Sequence, residues 1–406
     1  MTTMIMYAFY GIAGILAFFL VLPFLTTVAG LFTKDNLPSI LRGRILQHYD
    51  YANIITAYGN VDMAKPLVQS LLAQTHTNHH IYLVADKADV SKWQIKHEKL
   101  TLLTPETALN LKIKSIIYAT ERFVRQHDYT VIWDADNLAN PFFLEHINER
   151  ANEGYKAIQG QRTAKNLDNR MAAADSLGEF YKNYIERFLP PRLGSSTVIS
   201  GSGMAVEQSL YNAYLNSNEI QEGQHLWKKM MQEDKILQNH IIRAEKQIIY
   251  EKEAVCYDEK VTSASQVETQ RSRWLFSYFQ NLPNSTGFVA KGFLTANWNM
   301  FFFGLITVAP PLFIMVGLSG IIFLLGLLIS WKISALMAIC GLIFVANIFW
   351  TLSLSNAPRA VYDSLLAIPT FVFKQFTALF KMANPNKNFK HSEHKVTVSI
   401  EEVMKG

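Results

Sequence analysis

The 406 residues are 50% hydrophobic and 17% charged, with a formal net charge of +5; this is too apolar for a disordered chain and long enough for two or three folded units. Two cysteines, Cys256 and Cys340, exclude a disulfide framework and a thiolate zinc site. The basic residues gather near apolar segments rather than in one patch, which fits contact with membrane lipids and argues against nucleic acid.

No charged residue occurs in residues 1–33, and 6–32 is long enough, at about 1.5 Å per residue, to cross a hydrocarbon core of about 30 Å. The basic leading segment of a cleaved signal peptide is missing, so 1–33 is expected to be a retained transmembrane helix. A basic linker, 34–48, carries Lys34, Arg42 and Arg44. Positive charge of this kind stays on the cytoplasmic side.

Residues 49–268 have ordinary soluble composition, and their strand-length apolar runs alternate with helical stretches, the pattern of an α/β domain. The runs 53–58 (NIITAY), 81–85 (IYLVA), 100–103 (LTLL) and 129–133 (YTVIW) read as parallel core strands. Ligands of such sheets bind outside the carboxyl ends of the strands, which here carry Tyr58, Asp86, and the pair Asp134 and Asp136. There is no glycine-rich phosphate loop of the GxGxxG or Walker type.

Asp134 and Asp136 project where a strand gives way to a loop, and two hard oxygen ligands there suit Mg²⁺ or Mn²⁺ with open positions for donor phosphates. The plainer reading makes Asp136 a cap for the helix opened near Pro141. Glu233 and Asp234 open a helical segment, where carboxylates either complement the helix dipole or, for Asp234, serve as a general base. Gln270, Arg271, Ser272, Arg273 and Trp274 precede an apolar run, and two uses are open for them. One is a headgroup-facing basic patch; the other is a site where Trp meets a sugar face and Arg and Gln meet a diphosphate.

After this segment, 269–299, with its interfacial helices, two further transmembrane helices are expected at 300–331 and 333–358, parted by Lys332. With the N-terminus outside, three spans place Lys34 and Arg359 on the cytoplasmic side, and four do not. Residues 359–383 are expected to form an interfacial amphipathic helix interrupted at Pro369, and 384–406 a cytoplasmic tail.

Together these motifs resemble those of the membrane-embedded inverting glycosyltransferases with a GT-A catalytic domain, such as the cellulose, chitin and hyaluronan synthases. The resemblance covers residues 49–274 and the flanking apolar segments. ITAYGN at 55–60 is similar to the family's opening strand and nucleoside-binding loop, with Asn60 near the place of the usual acidic residue. Asp86 matches the nucleotide-binding Asp after the second strand, and Lys114, in KIKS, resembles the Lys before the next family helix. Asp134 and Asp136 match the metal motif. Gly201, Ser202, Gly203 and Met204 resemble the small-residue loop lining the acceptor site, QED at 232–234 resembles TED with Gln for Thr, and Gln270, Arg273 and Trp274 satisfy QxxRW.

The resemblance implies a Rossmann-like mixed sheet of the GT-A type and an inverting hexosyltransferase using a nucleotide-sugar, a UDP-sugar by preference. Asp234 is then the base, and Asp134 and Asp136 hold Mg²⁺ or Mn²⁺. Tyr58, Asp86, Lys114, Gln270 and Arg273 bind the donor together with Asp134, and Gly201, Ser202, Gly203, Glu233 and Trp274 line the acceptor. It further implies a processive enzyme extending a polysaccharide, coupled to export, in a bacterial inner membrane with the catalytic domain cytoplasmic and homo-oligomers open. Two alternatives stand beside it: a non-processive transferase adding one sugar to a polyprenyl- or other lipid-linked acceptor, and a non-catalytic membrane scaffold.

Overall fold

The computed structural model describes residues 2–33, 46–223, 225, 232–262, 264–367, 372, 375, 376, 379 and 398–405. The basic residues Lys34, Arg42, Arg44, Lys374, Lys381, Lys387, Lys390 and Lys395, with Pro369 and most of 368–397, lie outside the described residues.

Helix α1 (Thr2–Leu31) precedes an α/β unit whose first half runs β1 (Tyr51–Tyr58), α2 (Lys65–Leu72), β2 (His79–Asp86), β3 (Leu100–Leu103), α3 (Lys112–Thr120) and β4 (Tyr129–Asp134). The second half holds β5 (Leu138–Ala139), α4 (Phe143–Asn152), β6 (Ala157–Ala164), α5 (Arg170–Lys182), α6 (Leu189–Arg192), β7 (Met204–Glu207), α7 (Gln208–Leu215), α8 (Asn218–Gly223), α9 (Glu233–Arg243) and β8 (Ile248–Asp258). The chain then forms α10 (Ala264–Leu294), α11 (Trp298–Val308), α12 (Leu312–Ile329), α13 (Trp331–Leu354) and α14 (Arg359–Asp363).

The eight strands make one mixed sheet in the order β3-β2-β1-β4-β7-β6-β8-β5. The four expected strands are all present and mutually parallel, with Tyr51 in register with His79 and Tyr129. Beyond β4 the sheet turns antiparallel at β7. Strands β1 and β2 are almost wholly buried because both faces of the sheet are covered, which is why they read as unbroken apolar runs. Leu67, Leu71, Phe143 and Ile147 pack one face, while Ile113, Ile116, Tyr211 and Ile236 pack the other. At Gly160 the strands close so tightly that a Cβ would stand 2.5 Å from the Ala254 carbonyl oxygen, so only glycine fits there.

The amino-terminal edge of the sheet sets an acid limit on stability. His79 and His80 open β2 in buried positions, and burial lowers each from 6.5 to about 4. Both are therefore neutral in the fold, whereas in the unfolded chain they take up protons as pH falls through 6.5. The folded state is expected to lose stability progressively between pH 6.5 and about 4. Thermal midpoints of the detergent-solubilised protein across that window will fall; a flat profile contradicts the burial of two neutral imidazoles.

Among the described residues, three helices, α1, α12 and α13, are long and apolar enough to cross a membrane. The run expected to cross as one helix over 300–331 instead divides at Pro310-Pro311. Proline lacks the N–H a helix interior needs. The 11-residue α11 folds back along α10, where a Cβ at Gly304 would stand 2.6 Å from the Val289 backbone nitrogen, and of this run α12 alone is long and apolar enough to cross a membrane. The segment expected to comprise several pieces over 269–299 belongs largely to one 31-residue helix, α10.

The α/β unit is docked on the apolar helices through α5, α6 and the π-helical turn between them, Asn183–Phe188. Tyr181, Ile185 and Leu189 pack against Leu20, Met315 and Phe344, and Leu177 meets Leu352. Arg192 donates to the hydroxyl and the carbonyl of Thr33, each at 3.0 Å, capping the end of α1 with positive charge where the helix dipole favours it. The carboxyl end of α1, the start of α12 and the end of α13 thus all lie on the side of the α/β unit. On the outer surface Leu318, Ile321, Leu324, Leu328, Ile339 and Leu342 are exposed, an apolar surface suited to lipid.

Candidate active site

The carboxyl ends of β1, β2 and β4 open onto one cleft, and the sequence beyond each strand equips it. After β4 a tight turn follows, in which the Asp134 amide donates to Asn137 Oδ1 at 3.0 Å and the Asn137 amide returns to the Asp134 carbonyl at 3.0 Å. This turn aims the Asp134 carboxylate at α3. There Lys112 Nζ meets Asp134 Oδ1 at 2.6 Å, the Gly201 carbonyl at 2.9 Å and Glu233 Oε1 at 3.6 Å. One ammonium therefore gathers the metal-motif strand, the glycine loop and the start of α9.

The charges explain one another. Burial alone would lower Lys112, but Asp134 and then Glu233 outweigh it and hold the amine well above its usual range. Burial pushes Glu233 up to about 7, against the pull of Lys112 and with the repulsion of Asp234. Arg273 is lowered by desolvation while Asp134 and Glu233 draw it back, which puts its guanidinium in the same field. Three carboxylates facing two cations can accept an anionic diphosphate only next to positive charge, and Lys112 and Arg273 supply it.

Asp234 lies in the first turn of α9; its Oδ1 accepts from the Lys235 amide at 2.8 Å. A Cβ added at Gly201 would stand 3.7 Å from Asp234 Oδ2, so the glycine leaves room in front of that oxygen. Gly201 and Gly203 have φ of +88° and +61°, left-handed values that glycine adopts without strain. Between them Ser202 is buried, and its hydroxyl has no hydrogen-bond partner among the described residues. Gln159 holds this loop by donating to the carbonyls of Ser202 and Gly203 at 3.0 and 3.2 Å.

Asp86 is buried, with Oδ1 and Oδ2 accepting from the Leu109 and Asn110 amides at 2.9 and 2.7 Å. Asn110 Oδ1 in turn accepts from the Tyr58 hydroxyl at 3.2 Å. Asp86 and Tyr58 thus shape one side of the cleft together, and the Asp86 carboxylate anchors the loop before α3. Lys114 stands two residues beyond Lys112, half-buried on the helix side shared with Tyr118 and Glu121. The lysine at the centre is Lys112, which sequence reading passed over. Its signal was there: Lys112 shares a helical face with Ile116 and Ala119, both buried, whereas Lys114 does not.

On α10, Gln270 Oε1 is buried without a hydrogen-bond partner among the described residues, and Trp274 is 37% exposed. Arg271, ion-paired with Asp175, lies over the Trp274 ring with its guanidinium carbon 4.3 Å from the centroid. Gln232, the departure in the QED motif, donates to Gln280 Oε1 at 2.8 Å and so ties the start of α9 to α10.

The donor set fits a divalent cation. Asp134 keeps a second carboxylate oxygen beside the one held by Lys112, and Asp136 Oδ2 accepts from the Glu259 amide at 3.3 Å. Among the described residues no group of three or more His, Cys, Asp or Glu side chains is arranged to hold a metal. A pair of carboxylates completed by donor phosphates and water is the usual protein share for Mg²⁺ or Mn²⁺.

The family model described as "Glycosyltransferase like family 2" matches residues 48–277. Among solved structures the chain is similar to the mannosyltransferase PcManGT from Pyrobaculum calidifontis, in complex with GDP-Man and Mn²⁺. The TM-score is 0.56 at 12% identity, over 93% of this chain and 97% of that one. A weaker likeness, TM-score 0.34 at 14% identity, joins 55% of this chain to 39% of S. aureus TarS. No curated protein matches.

Proposed function

The chain belongs to the glycosyltransferase-like family 2, and from that premise we propose that it transfers a hexose, with inversion, from a nucleotide-sugar to a lipid-linked acceptor at a membrane face. The observation that carries this reading is the convergence of Asp134, Glu233 and the Gly201 carbonyl on Lys112 Nζ, with Asp234 beside Gly201.

Asp134 and Asp136 would hold Mg²⁺ or Mn²⁺, which when bound neutralises charge on the departing diphosphate. Lys112 and Arg273 supply fixed positive charge for the same diphosphate, and Gln270 a buried amide. Tyr58 and Asp86 border the nucleoside. An acceptor hydroxyl enters past Gly201 and Trp274 and attacks the anomeric carbon. The new C–O bond forms as the bond to the diphosphate breaks, the nucleoside diphosphate leaves with the electron pair, and Asp234 takes the hydroxyl proton. Glu233, ion-paired with Lys112 at 3.6 Å, orients the site.

Single transfer is favoured over processive synthesis by the packing of the apolar helices. Leu16, Ile322 and Met337 meet in one layer and Leu20, Met315 and Phe344 in the next, filling the space between the three helices. Processive extension of a polysaccharide from a UDP-sugar, in a bacterial inner membrane, is the alternative. Incubation of the full-length protein with labelled UDP- and GDP-sugars and lipid extract, followed by sizing of the product, separates them. One added sugar on an organic-soluble product is expected; a long water-soluble polymer would contradict single transfer.

A further inference from the structure

The face of Trp274 is occupied by cations. Besides the Arg271 guanidinium at 4.3 Å, Lys182 Nζ lies 5.7 Å from the ring centroid. Arg271 is balanced by Asp175. Lys182, half-buried at the end of α5, makes no hydrogen bond and no ion pair among the described residues. Glu186 lies in its field, yet burial and the nearby Arg271 and Arg187 together leave the amine lowered. A partly buried ammonium without a bonded partner is costly unless an anion completes it.

The position narrows the anion. Lys182 is carried by the helical stretch whose neighbouring residues, Tyr181 and Ile185, pack on Leu20, Met315 and Phe344 of the three apolar helices. A ligand that reaches Lys182 therefore meets an apolar surface on one side and the cleft on the other. Trp274, read as a platform for an acceptor sugar, presents instead a ring flanked by an ammonium and a guanidinium. That arrangement suits a phosphate better than a neutral sugar ring.

We propose that Lys182 and Arg271, both over the Trp274 ring, bind the phosphate of a sugar-bearing polyprenyl-phosphate-type acceptor, so that the acceptor's lipid lies along the apolar helices and its sugar, which carries the attacking hydroxyl, enters the cleft. This deepens the transferase reading and rests on it. It adds Lys182 and Arg271 as the residues that select a phosphate-bearing lipid over an uncharged one.

The test measures binding of farnesyl phosphate, farnesol and inorganic phosphate to the full-length protein in detergent, with Lys182→Gln and Lys182→Arg beside the wild type. Binding of a labelled nucleotide-sugar is read in the same samples, and thermal midpoints verify that each variant is folded. Farnesyl phosphate is expected to bind about tenfold or more tightly than farnesol. Lys182→Gln is expected to erase about that factor and Lys182→Arg to restore most of it. Inorganic phosphate is expected to compete weakly; if it binds as tightly as farnesyl phosphate, the lipid assignment falls. Equal binding of farnesol and farnesyl phosphate, or a folded Lys182→Gln protein that binds like wild type, overturns the inference. If the wild type still binds the nucleotide-sugar in that case, the transferase reading survives it.

Discussion

Asp234→Asn is expected to lower kcat for sugar transfer by about 10³-fold while leaving the apparent affinity for the nucleotide-sugar within about threefold of wild type. Asparagine keeps the size of aspartate and can still accept from the Lys235 amide, as Asp234 Oδ1 does at 2.8 Å. It cannot take the acceptor's proton. The loss should therefore sit in the chemical step, because the groups assigned to the diphosphate, Lys112, Gln270 and Arg273, are untouched. Rates under saturating donor and acceptor, with donor affinity from equilibrium binding, make the separation. A kcat that stays within about tenfold of wild type would remove Asp234 from the role of base.

The second large effect belongs to Lys112→Gln. That change leaves Asp134 without its partner at 2.6 Å and Glu233 without its partner at 3.6 Å. Removing one member of a wholly buried ion pair costs about 3–5 kcal/mol. Here the Asp134 side chain is 40% exposed, so a loss nearer about 2 kcal/mol is expected after allowing for solvent screening. The pH dependence identifies the cause. Without the ammonium, which pulls it down, Glu233 titrates still further above its unfolded value. Its penalty is then absent at low pH and grows as pH rises through the carboxylate range and past 7, where Glu233 titrates even with Lys112 present. The stability gap between variant and wild type should widen from acid to neutral pH, and donor affinity should fall with it. A gap of constant size would mean that Lys112 acts through packing alone.

The parallel half of the sheet, β1 to β4, could be read because β1, β2 and β4 are buried on both faces, and such strands announce themselves as short β-branched and aromatic runs. β5, β6, β7 and β8 were not read in this way. β7 and β5 contribute four and two residues and depend on antiparallel pairing with distant strands, while β6 and β8 become partly exposed along their length, so their runs mix polar with apolar residues. The break at Pro310-Pro311 was visible as sequence, but an uncharged run of this length satisfies a membrane-spanning criterion whether or not it is one helix. In the cleft, the acidic residues stood out because carboxylates at strand ends are unusual. Lys112 did not, since two lysines one residue apart differ only in which helical face they take. Lys182 carried no motif at all; its meaning comes from Trp274, some ninety positions along the chain, meeting it in space.

The most direct test is release of nucleoside diphosphate by the purified full-length protein from a panel of UDP- and GDP-sugars, with Mg²⁺ or Mn²⁺, a sugar-bearing lipid-phosphate acceptor, and Asp234→Asn beside the wild type. The account predicts metal-dependent release from at least one donor, stimulated by the acceptor and lost in Asp234→Asn. Absence of both release and donor binding across the panel would contradict it and leave a membrane scaffold that keeps the fold without the chemistry.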